Sequence, residues 1–281
     1  MSAKSTSPSS RRRIPGHWAR ALSIGLALVS STGAADAGGT SIEFPFNDDS
    51  LLVRPQKDGG LVYIPDSVHR GESAPLVVFL HGINDRQGIH LWMGSPIGPF
   101  DLRATWDGWI EEAQARPALL AAPSQTRQAA AAATLWTDFD LEEFVDATDE
   151  TLGSLASVDR SQVLVVGHSG AGCNKSGGLA SAIASPGGIH PLGIVAIDIC
   201  MEEDSAATLA LAPPEIPVAV YWQTSWLRPF GEFRSAFDVL RGPPSARDII
   251  QEVAIADRDA HNAIVKVALP RALALFLSSA R

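Results

Sequence analysis

Four apolar runs constrain this chain more than anything else in it: PLVVFL at residues 75–80, VLVVG at 163–167, the stretch 192–199 and VAVYW at 218–222. They are rich in β-branched residues and do not alternate apolar with polar positions. A strand reads this way when both its faces are buried. Sheets buried on both faces are mostly parallel, because crossover helices cover them. Segments with helical spacing separate the runs. The order strand, helix, strand, helix therefore predicts an α/β fold, a mostly parallel eight-stranded sheet with helices on both faces.

The expected strands are Ser41 to Phe46 and Leu61 to Pro65 at an edge, then Pro75 to Leu80, Ala118 to Ala122, Val163 to Gly167, Leu192 to Ile199, Val218 to Trp222 and Ile249 to Ile255. The expected helices are Thr105 to Ala115, Leu141 to Leu155 capped by Asp140, about 171 to 184, Phe233 to Leu240, and His261 to Leu277 broken near Pro270. Residues 83 to 103 are rich in Gly and Pro and read as a long loop.

The chain has 281 residues, 46% of them apolar and 19% charged, which suits one globular domain and argues against a disordered or collagen-like chain. No internal repeat is present. Residues 1–37 read as an export signal: Arg11-Arg12-Arg13, a short apolar stretch from Ala19 to Val29, and Ala35-Asp36-Ala37 as a small-x-small cleavage site. The expected domain is then 38–281, exported to the periplasm or medium. Removing that segment's five basic residues and one acid from totals of 22 and 31 leaves 17 and 30, a net of −13. Such a surface repels phosphate backbones and anionic lipid heads, so neither nucleic acid nor a membrane is an expected partner.

One segment carries chemistry. VLVVG runs into Gly167-His168-Ser169-Gly170-Ala171-Gly172, and small residues then open a helix. A serine on a sharp strand-to-helix turn is a nucleophile elbow. Its strained backbone demands small neighbours two residues away, and Gly167 and Ala171 supply them. The helix start aims N–H groups and partial positive charge at a reacting carbonyl.

With Leu80-His81-Gly82 at a strand end and a late His261, these residues resemble the α/β-hydrolase superfamily over about 41 to 281. The chain departs at Ala171, where the pattern usually has Gly. The resemblance implies Ser169 as nucleophile and His261, after the last strand, as its base. It implies backbone oxyanion donors at Gly170 and Ile83. His81 and His168 take backbone-positioning places, and His81 also counts among possible substrate contacts. The superfamily's acid most often follows the seventh strand. Here that strand ends Gln223-Thr224-Ser225, with no carboxylate. A minority, pancreatic-type lipases among them, carries the acid one strand earlier, which points to Asp198. Asp257, Asp259, Asp238, Glu203 and Asp204 remain rivals.

Trp92, Trp136, Trp222 and Trp226 fall at loops or strand ends on the sheet's carboxyl edge, where open α/β sheets bind ligands. Their faces suit a sugar ring, an aryl acid or an acyl chain, or else they pack the core. Arg127 could hold a carboxylate. The two cysteines, Cys173 and Cys200, lack the spacing of a metal site. With parallel strands five and six adjacent, they are expected close enough to bridge, the alternative being two buried thiols. No phosphate cradle and no dinucleotide fingerprint is present, so no cofactor is expected. The function expected is an exported serine hydrolase of small or polymeric carboxylic esters. A peptidase or amidase with the same residues, or an inactive binding protein, is the alternative.

Overall fold

A computed structural model describes residues 38–46, 59–83, 92–94, 99–123, 136, 139–184, 188–224, 230–242 and 248–279. All lie in one compact unit, Gly33–Arg281. The export reading of residues 1–37, Arg127, Trp226 and Ser225 lie outside the described residues, as does much of the expected loop at 83 to 103.

Eight strands form one sheet. They are β1 (Thr40–Phe44), β2 (Gly60–Ile64), β3 (Glu72–Leu80), β4 (Leu119–Pro123), β5 (Ala156–His168), β6 (Gly193–Ile197), β7 (Val218–Gln223) and β8 (Ile249–Val253). Their order across the sheet is β1-β2-β4-β3-β5-β6-β7-β8. β2 pairs antiparallel with both β1 and β4, and β3 to β8 run parallel.

The helices are α1 (Arg103–Glu112), α2 (Leu141–Leu152), α3 (Leu179–Ala184), α4 (Glu203–Ala210), α5 (Phe230–Arg241), α6 (Ala260–Ala263) and α7 (Val265–Phe276). The strand period of two sorts the core. Leu76, Val78 and Leu80 pack on one face with Phe144 of α2, Leu179 of α3, Leu209 of α4 and Phe233 of α5. Val77 and Phe79 pack on the other with Trp106 of α1 and Leu269 of α7. Each fully buried Val, Leu or Phe contributes about 1.5–3 kcal/mol. That explains why the continuous apolar runs became the central strands. Asp140 caps α2, its side chain accepting from the Glu143 N–H.

Four differences from the sequence expectation have local causes. β3 and β5 both begin earlier, because Glu72–Ala74 pairs with Ala156–Val158 before the register shifts between Ala74 and Leu76. Pro75, with no N–H to give a ladder, sits at that irregularity. The helix expected from 171 to 184 splits into a 3₁₀ turn, Ser169–Gly172, and α3. Between them the chain rounds the carbonyl of Trp136, which accepts from the Gly178 N–H at 3.0 Å. Gly178 has φ +58°, and a Cβ on it would lie 2.2 Å from the Ala171 carbonyl oxygen.

Helix α4 was not expected. Its first turn carries Glu203 and Asp204, favourable to the helix dipole, while Ser205, Ala206 and Leu209 are buried. Finally, α7 runs unbroken through Pro270. An internal proline costs about 3 kcal/mol. Val265, Ala268, Leu269, Ala272 and Leu273 are all buried on the sheet and outweigh that cost. The discontinuity falls at Ile264 instead, between α6 and α7.

Candidate active site

The carboxyl edge of the sheet positions the chemistry. β5 ends at His168, and Ser169 follows with φ +55°. A non-glycine residue held there costs about 1–3 kcal/mol, so its surroundings must enforce it. They do so by close packing. A Cβ on Gly167 would lie 2.6 Å from the Leu179 side chain, and one on Gly172 would lie 2.5 Å from Ile199. Ala171 is fully buried, so a methyl group is accommodated where the superfamily pattern has Gly. A Cβ on Gly82 would lie 2.5 Å from Ser169 Cβ and 2.8 Å from its Oγ. The strand end after β3 therefore presses directly on the serine.

Three of the expected side chains meet in one hydrogen-bonded row. Ser169 Oγ lies 2.8 Å from His261 Nε2. His261 Nδ1 bonds to Asp198 Oδ2. Asp198 is buried, and its Oδ1 accepts from the Gln223 backbone N–H at 3.2 Å. The carboxylate-free end of β7 thus supplies a donor to the carboxylate at the end of β6. Asp198 also has left-handed backbone, φ +47°, and its N–H donates to the Tyr221 carbonyl at 2.8 Å. That turn swings its side chain toward α6.

The rival carboxylates are engaged elsewhere. Asp238 is exposed and faces Arg234 at 3.8 Å. Asp204 pairs with Lys175 at 2.5 Å. Asp259 caps α6, accepting from Asn262. Asp257 is exposed and accepts from the Asp259 N–H at 3.0 Å. Glu203 lies in the exposed first turn of α4.

The candidate oxyanion donors differ in exposure. Gly170 is buried in the 3₁₀ turn, while Ile83 is 47% exposed at the edge of the site. Both follow residues in contact, since Gly82 and Ser169 touch.

The residues expected to contact substrate are buried in this structure. Trp92, Trp136 and Trp222 are 2%, 0% and 1% exposed, and His81 is 1% exposed. None offers a free face to a ligand. Trp136 donates its indole N–H to the His81 carbonyl at 2.9 Å and meets the His81 ring edge-on. Trp92 packs against Phe79, Phe100 and His168. Trp222 stacks on Phe230. Burial of large aromatic area outweighed any use of these rings at the surface.

Burial also sets the charge of two histidines. His81, donating from Nδ1 to the Gly82 carbonyl at 2.7 Å, has its pKa lowered to about 4. His168 has its pKa lowered to about 3, by burial first and then by the neighbouring His261. Both are neutral at pH 7.

Cys173 and Cys200 form a disulfide, with Cα atoms 5.2 Å apart. It joins the turn after Ser169 to the turn after Asp198. Among the described residues no group of three or more His, Cys, Asp and Glu side chains is placed to hold a metal ion, and no helix is long and apolar enough to cross a membrane.

No family model matches the sequence, and no curated protein matches it. Solved structures do match. A ferulic acid esterase is similar with a TM-score of 0.57 at 13% identity, over 85% of this chain and 99% of that one. The feruloyl esterase module from Clostridium thermocellum, a serine-to-alanine mutant complexed with sinapinate, gives 0.58 at 11% identity, over 87% and 90%. The fold is the α/β-hydrolase fold. An S-formylglutathione hydrolase from Agrobacterium tumefaciens shares it, with a TM-score of 0.54 at 12% identity over 87% of this chain and 98% of that one. In this α/β-hydrolase fold the serine and aspartate follow the ends of β5 and β6, and the histidine lies in α6, after β8. The sequence offered no signal for two supporting features, the Gln223 N–H on Asp198 and the contact of Gly82 with Ser169.

Proposed function

We propose that this chain is an exported serine hydrolase that cleaves carboxylic esters through an acyl-Ser169 intermediate. The observation that carries the proposal is the unbroken row from Ser169 Oγ through His261 to buried Asp198. A serine hydroxyl is a weak nucleophile until a base takes its proton, and His261 Nε2 is within reach to do so.

Ser169 Oγ attacks the ester carbonyl carbon while its proton passes to His261 Nε2. Asp198 holds the Nδ1–H, fixes the tautomer and balances the imidazolium charge. The developing oxyanion takes N–H donors from Gly170 and Ile83, each removal of such a donor typically costing about 10²–10³-fold. The imidazolium returns its proton to the leaving alkoxide, which departs as the alcohol. Water then attacks the acyl-serine with His261 again as base, releasing the carboxylic acid and regenerating Ser169.

The esterases among the structural neighbours support ester chemistry, and two of them carry ferulic-acid names. The disulfide supports an oxidising compartment and hence the export reading of residues 1–37. Turnover of short acyl esters, hydroxycinnamate esters and peptides by the mature protein tests the proposal. Ester turnover should vanish in Ser169→Ala and fall by up to about 10⁴-fold in Asp198→Asn. Asp238→Asn and Asp257→Asn should stay near wild type. Cleavage of peptides alone, or an inactive Asp238→Asn, would contradict it.

A further inference from the structure

His168 stands immediately before Ser169 in the chain. Its Nε2–H donates to the backbone carbonyl of His261 at 2.9 Å. Its ring lies against the His261 ring, centroids 4.7 Å apart and planes inclined by 35°. The Trp92 ring also meets it, at 5.0 Å and nearly edge-on. His168 thus contacts both Trp92 and the proposed base, and it is 2% exposed.

His261 sits in a helical turn whose first N–H groups are taken up by Asp259. It lies in α6, a four-residue helix, and is itself partly exposed. One side-chain bond goes to Asp198 and one to Ser169. Those two fix the imidazole's nitrogens but not the backbone from which the ring hangs. The His168 bond adds a side-chain anchor to that backbone beside the Asp259 cap, and the tilted ring 4.7 Å away limits rocking of the imidazole about its row. Resting on the proposed serine hydrolase reading, we propose that His168 is a positioning residue, holding the His261 backbone through Nε2–H and bracing one face of the His261 ring.

The tautomer is fixed by the partner. Donation to a carbonyl requires the proton on Nε2, which leaves His168 Nδ1 as a buried acceptor without a hydrogen-bond partner among the described residues. A neutral ring suits the place. A cation here would oppose the imidazolium that His261 becomes on taking the serine proton. The titratable groups facing His168 are His261 and, more distantly, buried neutral His81, and Asp198 lies beyond His261. Burial keeps His168 neutral through the working range.

The test separates bond, ring and fold. His168→Phe keeps a ring but has no donor. His168→Gln keeps an N–H near the position of Nε2 but has no ring, and His168→Asn places its amide short of it. Each purified protein is first titrated with a fluorophosphonate, so that kcat refers to reactive Ser169 only. His168→Phe should lower kcat about tenfold or more with KM within twofold, since small misplacement of a base is costly. His168→Gln should recover several-fold of that loss, and His168→Asn should not. If His168→Phe does not fold, the contrast of Gln with Asn decides on the same readout. Nitrogen-15 NMR of the wild type should show His168 as the Nε2–H tautomer, without titration from pH 8 to 5. Equal kcat in wild type and His168→Phe overturns the proposal, as do equal losses in the Gln and Asn variants or an Nδ1–H tautomer. Wild-type protein that is not labelled at Ser169 instead overturns the hydrolase reading, and this proposal with it.

Discussion

Ser169 and Asp198 stand side by side because the residues before them, His168 and Ile197, are register partners across β5 and β6. Each leaves its strand through left-handed backbone, at φ +55° and +47°. Cys173 and Cys200 then close the two turns onto each other. The Ser169 turn and the Asp198 turn are therefore one cross-linked unit.

Reduction of that disulfide should lower both stability and activity. Its 27-residue separation corresponds to about 3.5 kcal/mol in the chain-entropy account. Thermal unfolding and ester turnover, measured with and without reductant, should fall together, and Cys173→Ala/Cys200→Ala should reproduce the reduced enzyme. Thiol titration of the denatured, unreduced protein should find no free thiol. Full activity in the reduced protein would show that the cross-link does not hold the two turns in place.

Gly82→Ala should damage the site without unfolding the chain. The added Cβ meets Ser169 Cβ at 2.5 Å and the Gly170 nitrogen at 3.2 Å. One of them must move, and displacement near the reacting atoms costs up to about 10²-fold per ångström. The expected result is a kcat lower by about tenfold or more with a melting temperature close to wild type. Unchanged kcat would mean that the two strand ends are looser than their contact implies.

Stability should decline on mild acidification. In the unfolded chain His81 and His168 take up protons near the ordinary value of 6.5, whereas the folded chain resists until about 4 and about 3. Below pH 6.5 the unfolded state therefore binds more protons, and unfolding becomes easier as pH falls toward those folded values. The slope is at most about 1.4 kcal/mol per pH unit for each histidine. Denaturant unfolding between pH 7 and 4.5 should show it, and His168→Phe should flatten it. Identical slopes in the two proteins would place the acid sensitivity elsewhere.

The central strands were legible because two-sided burial leaves no room for polar residues in Leu76–Leu80 or Val163–Val166. The elbow was legible because its strain demands Gly167 and small neighbours. Other features depended on contacts that no local pattern carries. The break before α3 follows from the Trp136 carbonyl, distant in sequence. Pro270 fails to break α7 because five buried side chains hold the helix to the sheet. The burial of Trp92 and Trp222 depends on Phe79, Phe100 and Phe230, which pack around them from other parts of the chain. The sequence order Ser169, Asp198, His261 was readable, whereas the support of Asp198 by the Gln223 backbone required the β6–β7 pairing.

The central claim is that Ser169, activated by His261, is the group that takes the acyl chain. Intact-mass analysis after incubation with a fluorophosphonate tests it most directly. Wild-type protein should gain one adduct, mapped to the peptide holding Ser169, and Ser169→Ala should gain none while keeping its fold. Labelling of Ser169→Ala at another serine, or no adduct on active wild-type enzyme, would contradict the claim.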